Sequence, residues 1–294
     1  MTTDIRPQWI AVDWGADIQR AYAMGKGGQV LARAESRHHS LADIESRLLD
    51  LIGPWLGDTP LPVLASGHIG AGGAFAVTPG AVPCKPAEAK PQRQPTRDAR
   101  IALHILPGVQ QSRPADLMQG GETQVAGILA QHPQFDGVLC LTGAQSRWIH
   151  ISAEEIVSFQ SALTGELRAL LSDHSSLRTA LDGEAETLDH DAFDAAISET
   201  LSRPERLAQA LAGLQTITDP AQARGRLSGL LIGAELAAMR PYWLGQQVLL
   251  AGPQDLSALY ARALQTQGVP SASNDAEFLT LAGLCLAWKT LQAG

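Results

Sequence analysis

Residues 8–24 read QWIAVDWGADIQRAYAM. A short apolar run ends at Asp13-Trp14-Gly15, and a second begins at Arg20. Gly25, Gly27 and Gly28 mark a further turn, and a third run covers 29–34. Short apolar runs joined by tight turns predict an antiparallel meander of three strands. The first turn also has the chemistry of a phosphate contact. A glycine there lets backbone amides approach an anion closely, and a strand-end carboxylate beside it suits contact with a cation or a hydroxyl. An Asp-x-Gly at a strand end is also an ordinary turn, so its meaning depends on the rest of the chain.

Outward from the meander, apolar residues at 41, 44, 48, 51, 52 and 55 have helical spacing, with Ser40 as N-cap. Residues 62–65 predict a buried strand, followed by glycines at 67, 70, 72 and 73. The stretch 85–100, KPAEAKPQRQPTRDAR, is Pro-rich and basic. It reads as a solvated surface loop, or as a lid or an anion-steering loop. A strand over 102–106 ends at Pro107-Gly108, which places a lobe boundary there and gives lobes 1–112 and 113–294.

The second half opens with Gly120-Gly121-Glu122-Thr123 and a helix to about residue 130. Residues 137–141 and 147–151 predict a strand pair around a turn that contains Gly143. Helices are expected over 164–171, 192–201, 204–214, 220–239, 256–267 and 276–291, with a buried strand at 248–251 ending at Gly252. Strands alternate with helices in both halves, so the fold class is α/β.

Gly143 and Gly252 follow strands and are candidate nucleotide cradles, or simple turn glycines. Glu122, Thr123, Thr164 and Glu166 stand at helix starts. There they serve as caps and dipole partners, or as contacts to a polar substrate. Asp189-His190-Asp191 invites a metal reading without further ligand spacing to support it. His38-His39 reads as a solvated strand end, and Arg224, Arg226 and Arg240 as solvated or dipole-pairing ends of the long helix.

The 294 residues carry a net charge of −8 and are 45% hydrophobic. Only 22 are Lys or Arg, which argues against a nucleic-acid footprint. Cys84, Cys140 and Cys285 are too far apart for a CxxC site. Their odd number, with no apolar leader at the N-terminus and no apolar run near the ~18 residues of a membrane span, points to a cytoplasmic protein.

The segments IAVDWGADIQRAY, ASGHIGA, ILPGV, LMQGGETQVAGILA, LTGAQSRWIHI, FQSALTGELRALLSDHSSL, LSGLLIGAELAAMRPY and LLAGPQDLSALYARALQTQG occur in that order. Together they resemble the 2-dehydro-3-deoxygalactonokinase family, over nearly the whole chain. The resemblance implies a two-lobed, actin-like sugar-kinase (ribonuclease H-like) fold with a cleft between the lobes. It implies transfer of the ATP γ-phosphoryl group to the 6-hydroxyl of 2-dehydro-3-deoxy-D-galactonate, in galactonate catabolism, with Mg2+ as second cofactor. It assigns Asp13 the magnesium or base role and gives Arg20 and Arg147 the phosphate or carboxylate charge. Gly15, Gly143 and Gly252 become nucleotide cradles, and Glu122, Thr123, Thr164 and Glu166 sugar-acid contacts. The expected partner is a small sugar acid, with no nucleic acid and no membrane; a homodimer is left open.

Departures from the family pattern fall at turns. Ala16 and Asp17 replace two hydroxyls, Gly121 replaces a Glu in a usual RGEET, Ala144 stands in a usual PGTHCKW-like turn, and Pro253 follows Ala251-Gly252. Asp275 keeps a late acidic position. These departures leave an alternative: a degenerate paralogue that binds a sugar acid or a partner without transferring phosphate. A kinase for a related sugar acid is a third reading.

Overall fold

The computed structural model describes residues 5–37, 43–71, 75–183 and 187–293. The expectations for His38, His39, Ser40, Gly72 and Gly73 lie outside the described residues. Two compact units are formed. The first contains residues up to Phe135, the segment Ser152–Ser158 and residues from Ala276 onward. The second contains Asp136–Ile151 and Phe159–Asp275.

In the first unit the opening meander forms as expected, with β1 (Trp9–Trp14), β2 (Ile18–Met24) and β3 (Val30–Arg37) antiparallel. Helix α1 (Ile44–Ile52) leads to β4 (Leu61–Gly67), which runs parallel to β1. Two short strands, β5 (Gly80–Ala81) and β6 (Gln92–Arg93), precede β7 (Ile101–Ile105), parallel to β4. The sheet order is β3-β2-β1-β4-β7-β6. Alternation along the strands divides its side chains between two layers. Ile10, Val12, Val63, Ala65 and Leu103 pack with Leu48 and Ile52 of α1. Trp9, Ala11, Tyr22 and Leu64 face α10 (Ala276–Ala293) through Leu284, Ala287 and Trp288. The Trp9 and Trp288 rings stack at 4.8 Å.

Pro107-Gly108 was expected to separate two lobes. It instead turns β7 into a hairpin, β8 (Val109–Ser112) and β9 (Ala115–Met118), which pairs with β5 inside the first unit. Helix α2 (Gly121–Gln131) follows and also belongs there, tied to α10 by a Gln124 Nε2 bond to Thr280 Oγ1 at 3.2 Å. The first unit therefore runs to Phe135, past the boundary expected after residue 112, and the C-terminal helix returns to it.

The second unit repeats the plan. Strands β10 (Gly137–Leu141), β11 (Ser146–Ser152) and β12 (Glu155–Ala162), whose connecting stretch Ser152–Ser158 belongs to the first unit, are followed by β13 (Val248–Ala251) and β14 (Ser271–Asn274). Their order is β12-β11-β10-β13-β14, with β13 parallel to β10 and β14 parallel to β13. The helices are α3 (Thr164–His174), α4 (Arg178–Leu181), α5 (His190–Ser202), α6 (Leu207–Gly213), α7 (Pro220–Ala238), α8 (Arg240–Trp243) and α9 (Gln254–Thr266). Val138, Cys140, Trp148, Val248 and Leu250 bury one sheet face against Phe193 and Ile197 of α5, Ile232 and Leu236 of α7, and Tyr260 of α9. Gly229 and Gly233 let α7 approach α5 closely: a Cβ on either would collide with Phe193 O or Thr200 Oγ1. That approach seats Glu235, two residues on, deep in the unit.

Candidate active site

The two turns that follow β1 and β10 carry most of the expected residues. In the first unit Asp13 stands opposite Arg20 across the β1–β2 ladder. Their charged groups lie 3.6 Å apart. Arg20 also reaches Glu35 at 3.3 Å and Glu277, in the first turn of α10, at 3.6 Å. Arg33 closes the network on Glu35 at 2.9 Å and Glu277 at 3.0 Å. Asp13 shares a strand face with Trp9 and Ala11, so it points toward the α10 layer, with its side chain 18% exposed. Burial pushes its carboxyl up to about 6; Arg20 pulls it down and Glu277 pushes it further up. A carboxylate with that value changes protonation close to neutrality, as a proton acceptor should. Burial and Glu277 also raise the Tyr22 phenol above its ordinary value.

Gly15 has a narrower role than expected. Its amide donates to Ile18 O at 3.0 Å, and its carbonyl accepts from Gln19 Nε2 at 3.1 Å. A Cβ there would sit 2.6 Å from Ile18 O. Glycine thus closes the hairpin, and its own amide is committed to that closure rather than held out to a phosphate. The exposed tip is Ala16-Asp17, one of the departures from the family pattern.

Glu122 and Thr123 begin α2 and are buried. Glu122 accepts from the Gly120 amide at 2.9 Å and from Thr123 Oγ1 at 3.3 Å. Thr123 Oγ1 lies 2.5 Å from Ser66 Oγ on β4, directly beside Asp13 in register. Capping, the ordinary reading of these two residues, is therefore realised in part. The chain Glu122–Thr123–Ser66 fastens the start of α2 to the end of β4. Ser66 is a polar residue on that strand end which sequence reasoning did not single out.

In the second unit Arg147 on β11 stands opposite Leu141, and its Nη2 donates to Gln145 Oε1 at 2.8 Å. Thr142 and Gly252 are pressed together. Gly252 has φ 149°, and a Cβ on it would collide with Thr142 O and Oγ1. Thr142 Oγ1 in turn meets Ser257 Oγ at 2.8 Å. Gly143 has no such constraint, since its nearest neighbour would be Gln145 O at 3.5 Å. The tight glycine against that turn is Gly165 of α3, whose Cβ would collide with Gly143 O. Thr164 is buried at the start of α3, while Glu166 is exposed and its amide donates to Ala144 O at 2.8 Å. The 142–145 turn therefore occupies one of the amides that open α3. Pro253 heads α9, where its fixed φ suits a helix start but removes an amide.

Other expectations change on inspection. In the 85–100 stretch, Arg97 pairs with Asp43 and Glu45, Arg100 with Asp98 and Lys85 with Glu154. Three of its cations are thus engaged locally, which weakens the anion-steering reading. Asp189 caps α5 by accepting from the Asp191 and Ala192 amides, and among the described residues no group of three or more His, Cys, Asp or Glu could hold a metal ion. Arg224 donates to the carbonyls of Thr187 and Leu181, and Arg226 pairs with Glu199. Two further carboxylates complete the picture. Glu277, two residues beyond the expected Asp275, is the late acid that reaches Arg20. Glu235 is buried among Ser146, Trp148 and Tyr260, each donating to it at 2.7 Å.

Comparison with known proteins gives a single direction. The family described as 2-keto-3-deoxy-galactonokinase matches residues 13–287, beginning at Asp13 itself. A Rhizobium meliloti (strain 1021) protein named "Probable 2-dehydro-3-deoxygalactonokinase DgoK1" is 30% identical, over 96% of this chain and 97% of that protein. The 2-dehydro-3-deoxygalactonokinase of Escherichia coli (strain K12) is 29% identical over 92% and 94%. The crystal structure of a Sinorhizobium meliloti protein assigned as a 2-dehydro-3-deoxygalactonokinase covers 96% of each chain, with a TM-score of 0.87 and 30% identity. A Porphyromonas gingivalis protein assigned as an N-acetylglucosamine kinase, at 14% identity and a TM-score of 0.50, shares the actin-like sugar-kinase fold.

Proposed function

The chain belongs to the 2-keto-3-deoxy-galactonokinase family, a family of kinases, and from that premise we propose that it transfers the γ-phosphoryl group of ATP to the 6-hydroxyl of 2-dehydro-3-deoxy-D-galactonate. The observation that carries the reading is Asp13: a carboxylate at the end of the first central strand, raised to about 6 and paired with Arg20, which Glu277 also holds.

In the proposed reaction the substrate oxygen forms a bond to the γ-phosphorus as the bond to the β–γ bridging oxygen breaks. ADP leaves with that electron pair, and the hydroxyl proton passes to Asp13 Oδ. Asp13 is competent for this once ionised, above about pH 6. Arg20 and Arg147 supply positive charge for the phosphates or the sugar-acid carboxylate. The backbones at Gly143 and Gly252 and the exposed tip beyond Gly15 line the nucleotide, while Glu122, Thr123, Thr164 and Glu166 contact the sugar acid. Magnesium is implied by the chemistry. Were such an ion bound with the nucleotide, Asp13 is the carboxylate that would hold it, in place of its role as proton acceptor. Such an ion supplies charge neutralisation on the phosphates. The place of this step is galactonate catabolism. The setting is cytoplasmic, supported by free Cys84, Cys140 and Cys285 and by the lack, among the described residues, of a helix long and apolar enough to cross a membrane.

The reading of a binder without catalysis has two observations in its favour: the Gly15 amide is spent on its own hairpin, and Pro253 offers none. The test is to incubate the protein with magnesium-ATP and a panel of 2-dehydro-3-deoxy sugar acids and to analyse products by phosphorus NMR. A 6-phosphate ester formed fastest from the galactonate epimer is expected. A sugar acid bound in calorimetry with no ester formed would favour the binder.

A further inference from the structure

The hairpin β10–β11 is organised from behind by a carboxylate that the kinase reading does not use. Glu235, near the end of α7, is 5% exposed. Its Oε1 accepts from Ser146 Oγ and from Trp148 Nε1, both at 2.7 Å, and its Oε2 accepts from Tyr260 OH at 2.7 Å. The two oxygens of one carboxylate thus hold all three donors at once. The charge is felt around it: after burial, Glu235 is the main influence that raises the Cys140 thiol and the Tyr260 phenol.

Ser146 and Trp148 are the two residues that flank Arg147 on β11, and both face the carboxylate. Strand alternation then directs Arg147 to the opposite face. Fixing the residues on either side of Arg147 fixes the rotation of that stretch of strand. It also fixes the take-off of the 142–145 turn, which carries Gly143 and receives the start of α3 through Ala144 O. Tyr260 belongs to α9, the helix whose Ser257 meets Thr142. The buried carboxylate thus ties α7 and α9 to the β11 end of the turn, while Ser257 of the same α9 holds the Thr142 end.

We propose that Glu235 is a positioning residue for the kinase reaction, holding Ser146 and Trp148 so that Arg147 and the 142–145 turn are presented to the nucleotide or sugar acid. The inference rests on the kinase reading, and its test separates the two. Glu235→Ala leaves three buried donors without their acceptor. By analogy with residues that support a functional site from behind, it should lower kcat/KM about 10- to 100-fold. Glu235→Gln restores most of the activity, because its oxygen accepts from Ser146 and Trp148 while its amide donates to the Tyr260 hydroxyl oxygen. Ser146→Ala, which keeps the carboxylate and removes one hydroxyl, gives a smaller loss and remains informative if Glu235→Ala folds poorly.

The decisive readout is a double-mutant cycle with Arg147→Ala. Loss of most of the effect of Glu235→Ala, or of Ser146→Ala, in the Arg147→Ala background supports positioning; losses that multiply independently overturn it. Wild-type turnover judges the kinase reading separately. Should turnover be absent, hydrogen exchange decides the positioning role without activity. Faster exchange in Ser146→Ala confined to residues 142–148 supports it, and unchanged protection there overturns it.

Discussion

The two units build the same hairpin and arm it differently. In the first, β1 turns into β2 while the parallel neighbour β4 ends at Gly67, whose Cβ would press on Trp14 O. In the second, β10 turns into β11 while β13 runs into Gly252, whose Cβ would press on Thr142 O. Matching the ladders places Arg147 where Arg20 stands, but Leu141 where Asp13 stands and Ala251 where Ser66 stands. One scaffold therefore presents an arginine twice and a carboxylate once. In the proposed reaction, acid–base chemistry falls to the first hairpin. The second offers charge and backbone, which suits it to hold phosphate rather than to move a proton.

Substitutions can break this asymmetry, and the largest expected effect is on turnover. Asp13→Asn removes the only carboxylate of the matched pair and should lower kcat by about 10²- to 10⁴-fold, measured by coupled ADP release. Arg147→Ala, at the position without an opposing carboxylate, should act mainly on KM. An equal loss of kcat in both variants would erase the proposed division of labour.

Stability should respond in the opposite sense at Asp13. Its folded pKa, about 6, lies above the ordinary 3.8, so its contribution is fully present below the lower value and is lost as pH rises through the higher one. Between about pH 4 and pH 7, in protein free of nucleotide and magnesium, wild type should lose stability relative to Asp13→Asn. The difference is on the order of 1–3 kcal/mol, read from urea midpoints. A flat difference across that range would contradict the burial argument.

The shared turn geometry gives a further effect. Gly67 (φ 95°) and Gly252 (φ 149°) both back onto a carbonyl, so alanine at either should cost about 1–3 kcal/mol. Gly143→Ala should stay within roughly 0.5 kcal/mol, because the nearest atom to its Cβ would be 3.5 Å away. The smallest effect belongs to the neutral pair in the second hairpin. Ser257→Ala removes one partner of Thr142 and should cost about 1 kcal/mol with kcat unchanged.

Much of the scaffold was legible because its strands are continuous apolar runs bounded by glycine. The expected strand 248–251 coincides with β13, and the opening meander forms within a few residues of its expected bounds. The strands that escaped have a different character. β12 interleaves Ser158, Gln160 and Ser161 with Ile156 and Phe159, which blurs its apolar run, and β14 reads SASN, with none; each is held by pairing with a neighbour. The unit boundary was misplaced because Pro107-Gly108 marks a hairpin as readily as a linker. Of the site, Asp13 opposite Arg20 follows from the hairpin register alone. Glu277 and Glu235 do not, since each meets partners far away in the chain: Arg33 lies 244 residues from Glu277, and Trp148 lies 87 from Glu235. Nothing in local spacing announces such convergence.

The most direct test of the central claim is ADP release from magnesium-ATP with 2-dehydro-3-deoxy-D-galactonate, comparing wild type with Asp13→Asn at pH 7.5. Turnover by the wild type that falls by at least about a hundredfold in the variant, with the sugar acid still bound, is the predicted result. Equal rates in the two proteins, or none in either while the sugar acid binds, would contradict the account.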